Sequence, residues 1–207
     1  EATTLSKFTT SSSDISGSDL QSMFNSELTP KTTYLRAVDH THTDWIELRS
    51  QFVDNVPVKG QGHIIASTLT DSDIKDIKVI DKGDFYYEMK ITLKEENFST
   101  LPSASSPGRH GKVFDVLTQE YIDQILNKFN STDQLSITYN SFTQKYHDST
   151  ITVGINKIDN HIEFINYDMN IDVKVTNLAL KYSGITKKMD VSFGCNNIIN
   201  IDINPYQ

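Results

Sequence analysis

Residues 189–203 alternate with a period of two. Met189, Val191, Phe193, Cys195, Ile199, Ile201 and Ile203 fill every odd position but one, and Asp190, Ser192, Asn196, Asn200 and Asp202 fall between them. Successive side chains of a strand point to opposite faces of its sheet, so this pattern demands a long strand with one buried and one wet face. Phe85, Tyr87, Met89, Ile91 and Leu93 alternate in the same way with Tyr86, Glu88, Lys90, Thr92 and Lys94. A slip of one residue there would drive Glu88 and Lys90 into the core, so the register is firmly set.

The remaining segments predict what surrounds these strands. Asp81-Lys82-Gly83-Asp84 reads as a tight turn before the second run, and Lys157-Ile158-Asp159-Asn160-His161 as another hairpin turn. Further strands are expected over residues 135–146, 150–157, 162–168 and 169–180. A helix is expected from Gln119, capped by Thr118, because Tyr121, Ile122, Ile125, Leu126 and Phe129 form one apolar stripe. A shorter helix opens with the capping-box pattern of Ser18 and Gln21, carries Leu20, Met23, Phe24 and Leu28, and stops before Pro30. The fold class is α+β: a large curved, mainly antiparallel sheet of about 6–9 strands with one or two helices packed on one face. Residues 1–17, rich in Ser and Thr, are expected to be a flexible tether, and residues 18–207 a single domain. Asn197 interrupts the final apolar face just after Gly194, which predicts a bulge or bend there.

Charge and composition exclude several classes. A net charge of −8 over 207 residues opposes binding to a phosphate backbone, which requires clustered cations, so nucleic acid is not an expected partner. No apolar run approaches the ~18–20 residues of a membrane-spanning helix. The single cysteine, Cys195, cannot close an intramolecular disulfide. The chain starts without Met and without a basic and apolar leader pattern, and reads as a trimmed or mature N-terminus.

Three segments together resemble a recurrent group of exported proteins from gut-dwelling Gram-positive bacteria. They are Ser18-Asp-Leu-Gln-Ser-Met-Phe-Asn25, the linked block of Leu69-Thr-Asp-Ser-Asp-Ile74 and residues 84–96, and the closing strands over residues 145–153 and 166–175. The resemblance covers most of residues 18–203. It implies a protein that is secreted or attached to the cell surface of a Gram-positive bacterium, lipoprotein-like, with an α+β sheet. It supplies no activity and no catalytic residue. The lipobox cysteine of a lipid-anchored member is absent here and would lie upstream of Glu1.

Candidate chemistry is sparse. Asp39-His40-Thr41-His42-Thr43-Asp44 is the one dense group of metal-capable side chains: on a strand His40 and His42 share a face, and zinc could take both with Asp44, against the plainer reading of a polar loop ahead of Trp45. Ser106-Pro107-Gly108-Arg109-His110-Gly111-Lys112 offers backbone donors and basic groups, with Arg109 and His110 as contacts for an anion or glycan carboxylate, yet it lacks the strand and helix of a phosphate loop and reads first as an ordinary mobile loop, its histidine at the surface. Cys195 falls on an apolar face and reads as a small hydrophobe rather than a nucleophile. No G-x-S-x-G and no twelve-residue calcium loop is present. The expectation is therefore a non-enzymatic extracellular module, binding or structural, without a cofactor. Trp45, Tyr86 and Tyr87 would be its contacts with a glycan, a cell-envelope component or a host protein. The alternative is a carrier that holds an apolar small molecule between curved sheet and helix, and an enzyme of unknown class comes third.

Overall fold

A computed structural model describes residues 2–28, 30, 68–130, 135–182 and 184–202. Along the described residues run β1 (Ala2–Thr10), α1 (Gly17–Glu27), β2 (Ile74–Asp81), β3 (Tyr86–Leu93), β4 (Glu96–Phe98), a 3-10 turn (His110–Lys112), α2 (Gln119–Asn130), β5 (Leu135–Thr138), β6 (Ser141–Asn156), β7 (Ile162–Tyr182) and β8 (Ile185–Asp202). All pairings are antiparallel and build one open sheet, ordered β1-β8-β7-β6-β3-β2, with β4 beside β6 and β5 beside β7. This is the expected α+β architecture, a large antiparallel sheet with two helices among the described residues.

The alternation predicted for the last strand holds. Val191, Phe193, Cys195, Ile199 and Ile201 oppose Val175, Val173, Ile171, Tyr167 and Ile165 of β7 on one face. Two clusters bury that face. One is built on Leu93, Val113, Phe114, Ile151 and Tyr167, the other on Tyr146, Ile171, Val173 and Val175. The opposite face carries Thr143, Lys145, His147, Asp168, Asn170, Asp172, Lys174, Ser192 and Asn196, and stays hydrophilic. Both predicted hairpin turns form. In the first, Gly83 takes φ +77° and its N–H donates to Asp81 Oδ1 at 3.0 Å. In the second, Asn160 takes φ +60° and its N–H donates to the Asn156 carbonyl.

Four expectations are corrected. Residues 2–10 are not a tether: they form β1 and pair with β8 from Ala2 against Ile198 to Thr10 against Val191. Thr-rich segments suit a strand once a partner edge takes up their backbone groups, and composition alone cannot see that edge. Residues 162–180 are one strand, not two, because apolar side chains occupy the odd positions unbroken from Ile165 to Val175. Asn197 makes no bulge in its own strand. It stays in register opposite Met169, and its Nδ2 donates to Thr3 Oγ1 at 2.8 Å, so the amide is satisfied inside the ladder. The irregularities lie instead in β1 between Ser6 and Thr9, across from residues 192–194, and between Val175 and Leu178, where Asn177 takes φ +49° and donates to Asp190 Oδ1. Phe85, expected inside, precedes β3 and is 75% exposed.

The helices sit where the sheet has ends to cover. Thr118 caps α2 as expected, accepting from Tyr121 N–H at 3.3 Å. Ser16 rather than Ser18 caps α1, and Gln21 turns to the sheet instead of back to the cap. Phe24 of α1 stacks on Phe8, which stacks on Phe193, so the helix closes the apolar face at the β1 edge. Gly17 is required by that approach, since a Cβ would overlap the Phe8 carbonyl. Among the described residues no helix is long and apolar enough to cross a membrane.

Candidate functional site

The hydrophilic face carries an open trough of about 510 Å³ where β4, β6, β7, β8 and β1 lie side by side. Register builds it. Asn97 of β4 opposes Lys145, Lys145 opposes Asp172, Asp172 opposes Gly194 and Gly194 opposes Ser6. In the neighbouring row Thr143 opposes Lys174, and Lys174 opposes Ser192. Lys7 closes the β1 end: it stands in the irregular stretch of that strand at φ +51°, exposed. Gly194 keeps the floor low, since a Cβ there would stand 2.8 Å from Ser6 Oγ and 3.4 Å from Asp172 Oδ1.

Among the described residues the lining sets Lys7, Lys145 and Lys174 against one carboxylate, Asp172, on a chain whose net charge is −8. Lys145 also pairs with Glu95 at 3.2 Å, both half-exposed, a contact worth little in water and readily exchanged for a ligand. Beside the trough His147 lies between Asp148 Oδ2 at 3.0 Å and Asp172 Oδ2 at 3.4 Å. Asn97, Ser99, Thr143 and Ser192 add amide and hydroxyl groups that can both donate and accept. Such a floor can hold a polar, elongated, negatively charged ligand. Ser149 Oγ donates to the His147 carbonyl, not to its ring, so these two residues do not form a nucleophile and base.

The sequence-predicted site residues that are described do not form one site. Trp45 and the metal candidates His40, His42 and Asp44 lie outside the described residues. Among the described residues no group of three or more His, Cys, Asp or Glu side chains is placed to hold a metal. Tyr86 and Tyr87 are on opposite faces: Tyr86 is half-buried edge-on to Phe164, while Tyr87 is exposed beneath the Lys157 ammonium, 4.5 Å from its ring centre. They cannot stack on one sugar. Cys195 is half-buried on the apolar face, and burial pushes its thiol up from the ordinary value.

Arg109 and His110 require a correction, because the segment they occupy is folded in rather than an exposed loop. His110 is completely buried, stacked on Tyr146 at 4.8 Å. Glu96 receives Arg109 N–H at 2.8 Å and His110 N–H at 2.9 Å, and lies 3.1 Å from His110 Nδ1. A carboxylate can only accept, so Nδ1 carries the proton and Nε2 is left as a bare acceptor. Burial holds this imidazole below its ordinary pKa, against the opposing pull of Glu96. The Arg109 guanidinium donates to the Glu95 carbonyl at 2.7 Å, and its Nε stands 3.4 Å from Asp73. Asp73, itself buried, takes Lys112 Nζ at 2.6 Å and Thr70 N–H at 2.9 Å, and these bonds hold its carboxyl far below the usual range. The whole cluster pins residues 109–113 against the sheet.

The trough residues are the ones that sequence reading missed. Lys145, Asp172 and Lys174 belong to the wet positions of two alternating strands, and only the pairing register shows that they meet. Comparison with known proteins finds no matching family model, no similar curated protein and no similar solved structure.

Proposed function

We propose that the protein is a non-enzymatic binding module of a bacterial cell surface, and that its hydrophilic sheet face holds an anionic glycan of the cell envelope. The trough of Lys7, Lys145 and Lys174, cationic on an acidic chain, carries this reading. Ammonium groups suit carboxylate or phosphate substituents, and the amide and hydroxyl lining suits sugar hydroxyls. An open trough across strands fits an extended polymer better than a small enclosed molecule, which calls for a deep and largely apolar cavity.

The test is binding of a uronic-acid polysaccharide and of a neutral polysaccharide of equal length to the wild type and to a Lys145→Ala/Lys174→Ala variant. The acidic polymer is expected to bind more tightly, to weaken with salt because exposed charges are screened, and to lose about tenfold or more in affinity in the variant. Equal binding of both polymers, or an unchanged affinity in the variant, overturns the reading.

A second reading, carriage of an apolar molecule, is favoured by one observation: Ile77, Val79 and Tyr87 stand exposed on the apolar side of the sheet, at 50%, 65% and 41%. Native mass spectrometry of protein purified from its own host separates the two. A bound lipid mass supports the carrier, and a bare chain counts against it.

A further inference from the structure

The sheet's edges are treated unequally. At β1, Asn25 of α1 bonds both backbone groups of Leu5, and Gln21 Oε1 accepts from Phe8 N–H at 3.0 Å. At β5, Asn130 of α2 bonds both backbone groups of Ile137. Along β2 no such clasp exists among the described residues. Lys75 to Asp81 are all exposed, and β3 is their one strand partner among those residues. An open edge with apolar side chains is a template for another strand.

The ladder shows which backbone groups point outward. Lys82 N–H donates to the Tyr86 carbonyl, and the pairing runs from there through Ile80 against Glu88 and Lys78 against Lys90. Antiparallel pairs alternate between bonded and non-bonded, so even-numbered residues bond β3, and Ile77 and Val79 offer N–H and C=O to the outside. In Lys75-Asp76-Ile77-Lys78-Val79 the charges are opposite in sign on either side of Ile77.

We propose that β2 pairs antiparallel with β2 of a second copy of this chain, with the two-fold axis through Ile77. This register sets Ile77 against Ile77, and Lys78 against Asp76 of the second copy, twice. Lys78 and Asp76 already lie 3.5 Å apart within one chain, so the pairing closes a ring of four alternating charges. The two neighbouring registers are worse. One sets Lys78 against Lys78, and the other sets Asp76 against Asp76. Opposite charges facing across strands stabilise and like charges destabilise, so charge selects the first. A two-fold contact is self-complementary and closes at a dimer. This inference is independent of the glycan reading, because β2 contributes nothing to the trough.

Analytical ultracentrifugation of the full chain from about 1 μM to about 1 mM tests it. The wild type is expected to show a concentration-dependent dimer. Lys78→Asp and Asp76→Lys alone are each expected to weaken it about tenfold or more, and the double exchange to restore it. Ile77→Pro, which removes an outward N–H that no described residue accepts, is expected to abolish the dimer while circular dichroism stays unchanged. A chain that remains monomeric throughout, a dimer indifferent to the single charge changes, or a double exchange that fails to restore what the single changes lost overturns the proposal. So does concentration-independent protection of the Ile77 and Val79 amides from hydrogen exchange, since another part of the same chain would then occupy the edge.

Discussion

Asn25 grips both backbone groups of Leu5: its Nδ2 donates to the Leu5 carbonyl and its Oδ1 accepts from the Leu5 N–H, each at 2.8 Å. The side chain reproduces what a neighbouring strand would offer, and it does so from a helix, where it cannot propagate the sheet. Asn130 repeats the arrangement on Ile137, at 3.0 and 2.6 Å. Two helices of different amphipathic strength thus share one task, the closing of strand edges against association.

Asn25→Ala removes two hydrogen bonds and bares the edge of β1. The expected loss is about 1–2 kcal/mol, each such bond contributing about 1 kcal/mol net. Hydrogen exchange is the sharper measurement: the Leu5 amide should exchange far faster in the variant, while amides of β7 keep their protection.

Tyr146 has no exposed surface, and its hydroxyl donates to Gln144 Oε1 at 2.5 Å while accepting from Leu117 N–H at 3.2 Å. Gln144 Nε2 in turn donates to the Leu117 carbonyl at 2.8 Å. Tyr146→Phe would keep the ring on His110 and strand both partners without water, so a destabilisation of about 1–3 kcal/mol is expected in urea unfolding. Burial raises the Tyr146 hydroxyl well above its ordinary pKa, so the wild-type network should survive alkaline pH until the whole fold yields.

Stability should fall in two stages on acidification. His110 has a folded pKa below its ordinary value of 6.5, because burial disfavours its charged form. The unfolded chain therefore binds more protons, and the contribution of His110 is lost as pH drops below about 6.5. Asp73 is depressed by Lys112 and Thr70, so its contribution is full above the ordinary carboxylate pKa of about 3.9 and is lost as pH falls through and below it. Urea midpoints followed with pH should show both windows. Asp73→Asn is expected to flatten the lower window, and His110→Gln the upper one.

These residues mark where sequence reading stops. Period-two alternation places Val191, Phe193, Ile199 and Ile201 on the core face without help, and Thr118 announces its helix, because both signals are local. His110 carries no local signal: within Ser106-Pro107-Gly108-Arg109-His110-Gly111-Lys112 every neighbour speaks for a surface turn, and only the distant Glu96 and Tyr146 draw it inside. The trough is hidden for the same reason. Lys7, Lys145 and Lys174 are ordinary wet residues until the register of four strands aligns them.

Gly154 tests that register most directly. It is buried and opposes Phe164 across the β6–β7 pairing, and a Cβ on it would overlap the Phe164 ring, which stands edge-on to Tyr86. The glycine is needed for space rather than for its backbone angle, which is not among the positive-φ positions. Gly154→Ala should force the ring off its site and destabilise the fold by about 1–3 kcal/mol, as overpacking does. Restoring room with Phe164→Leu in the same chain should recover part of that loss, and a double-mutant cycle in urea measures the coupling. If the two changes simply add, the ring does not lie over Gly154, and the β6–β7 register at this end, together with the placement of Tyr86 on the hydrophilic face, is wrong.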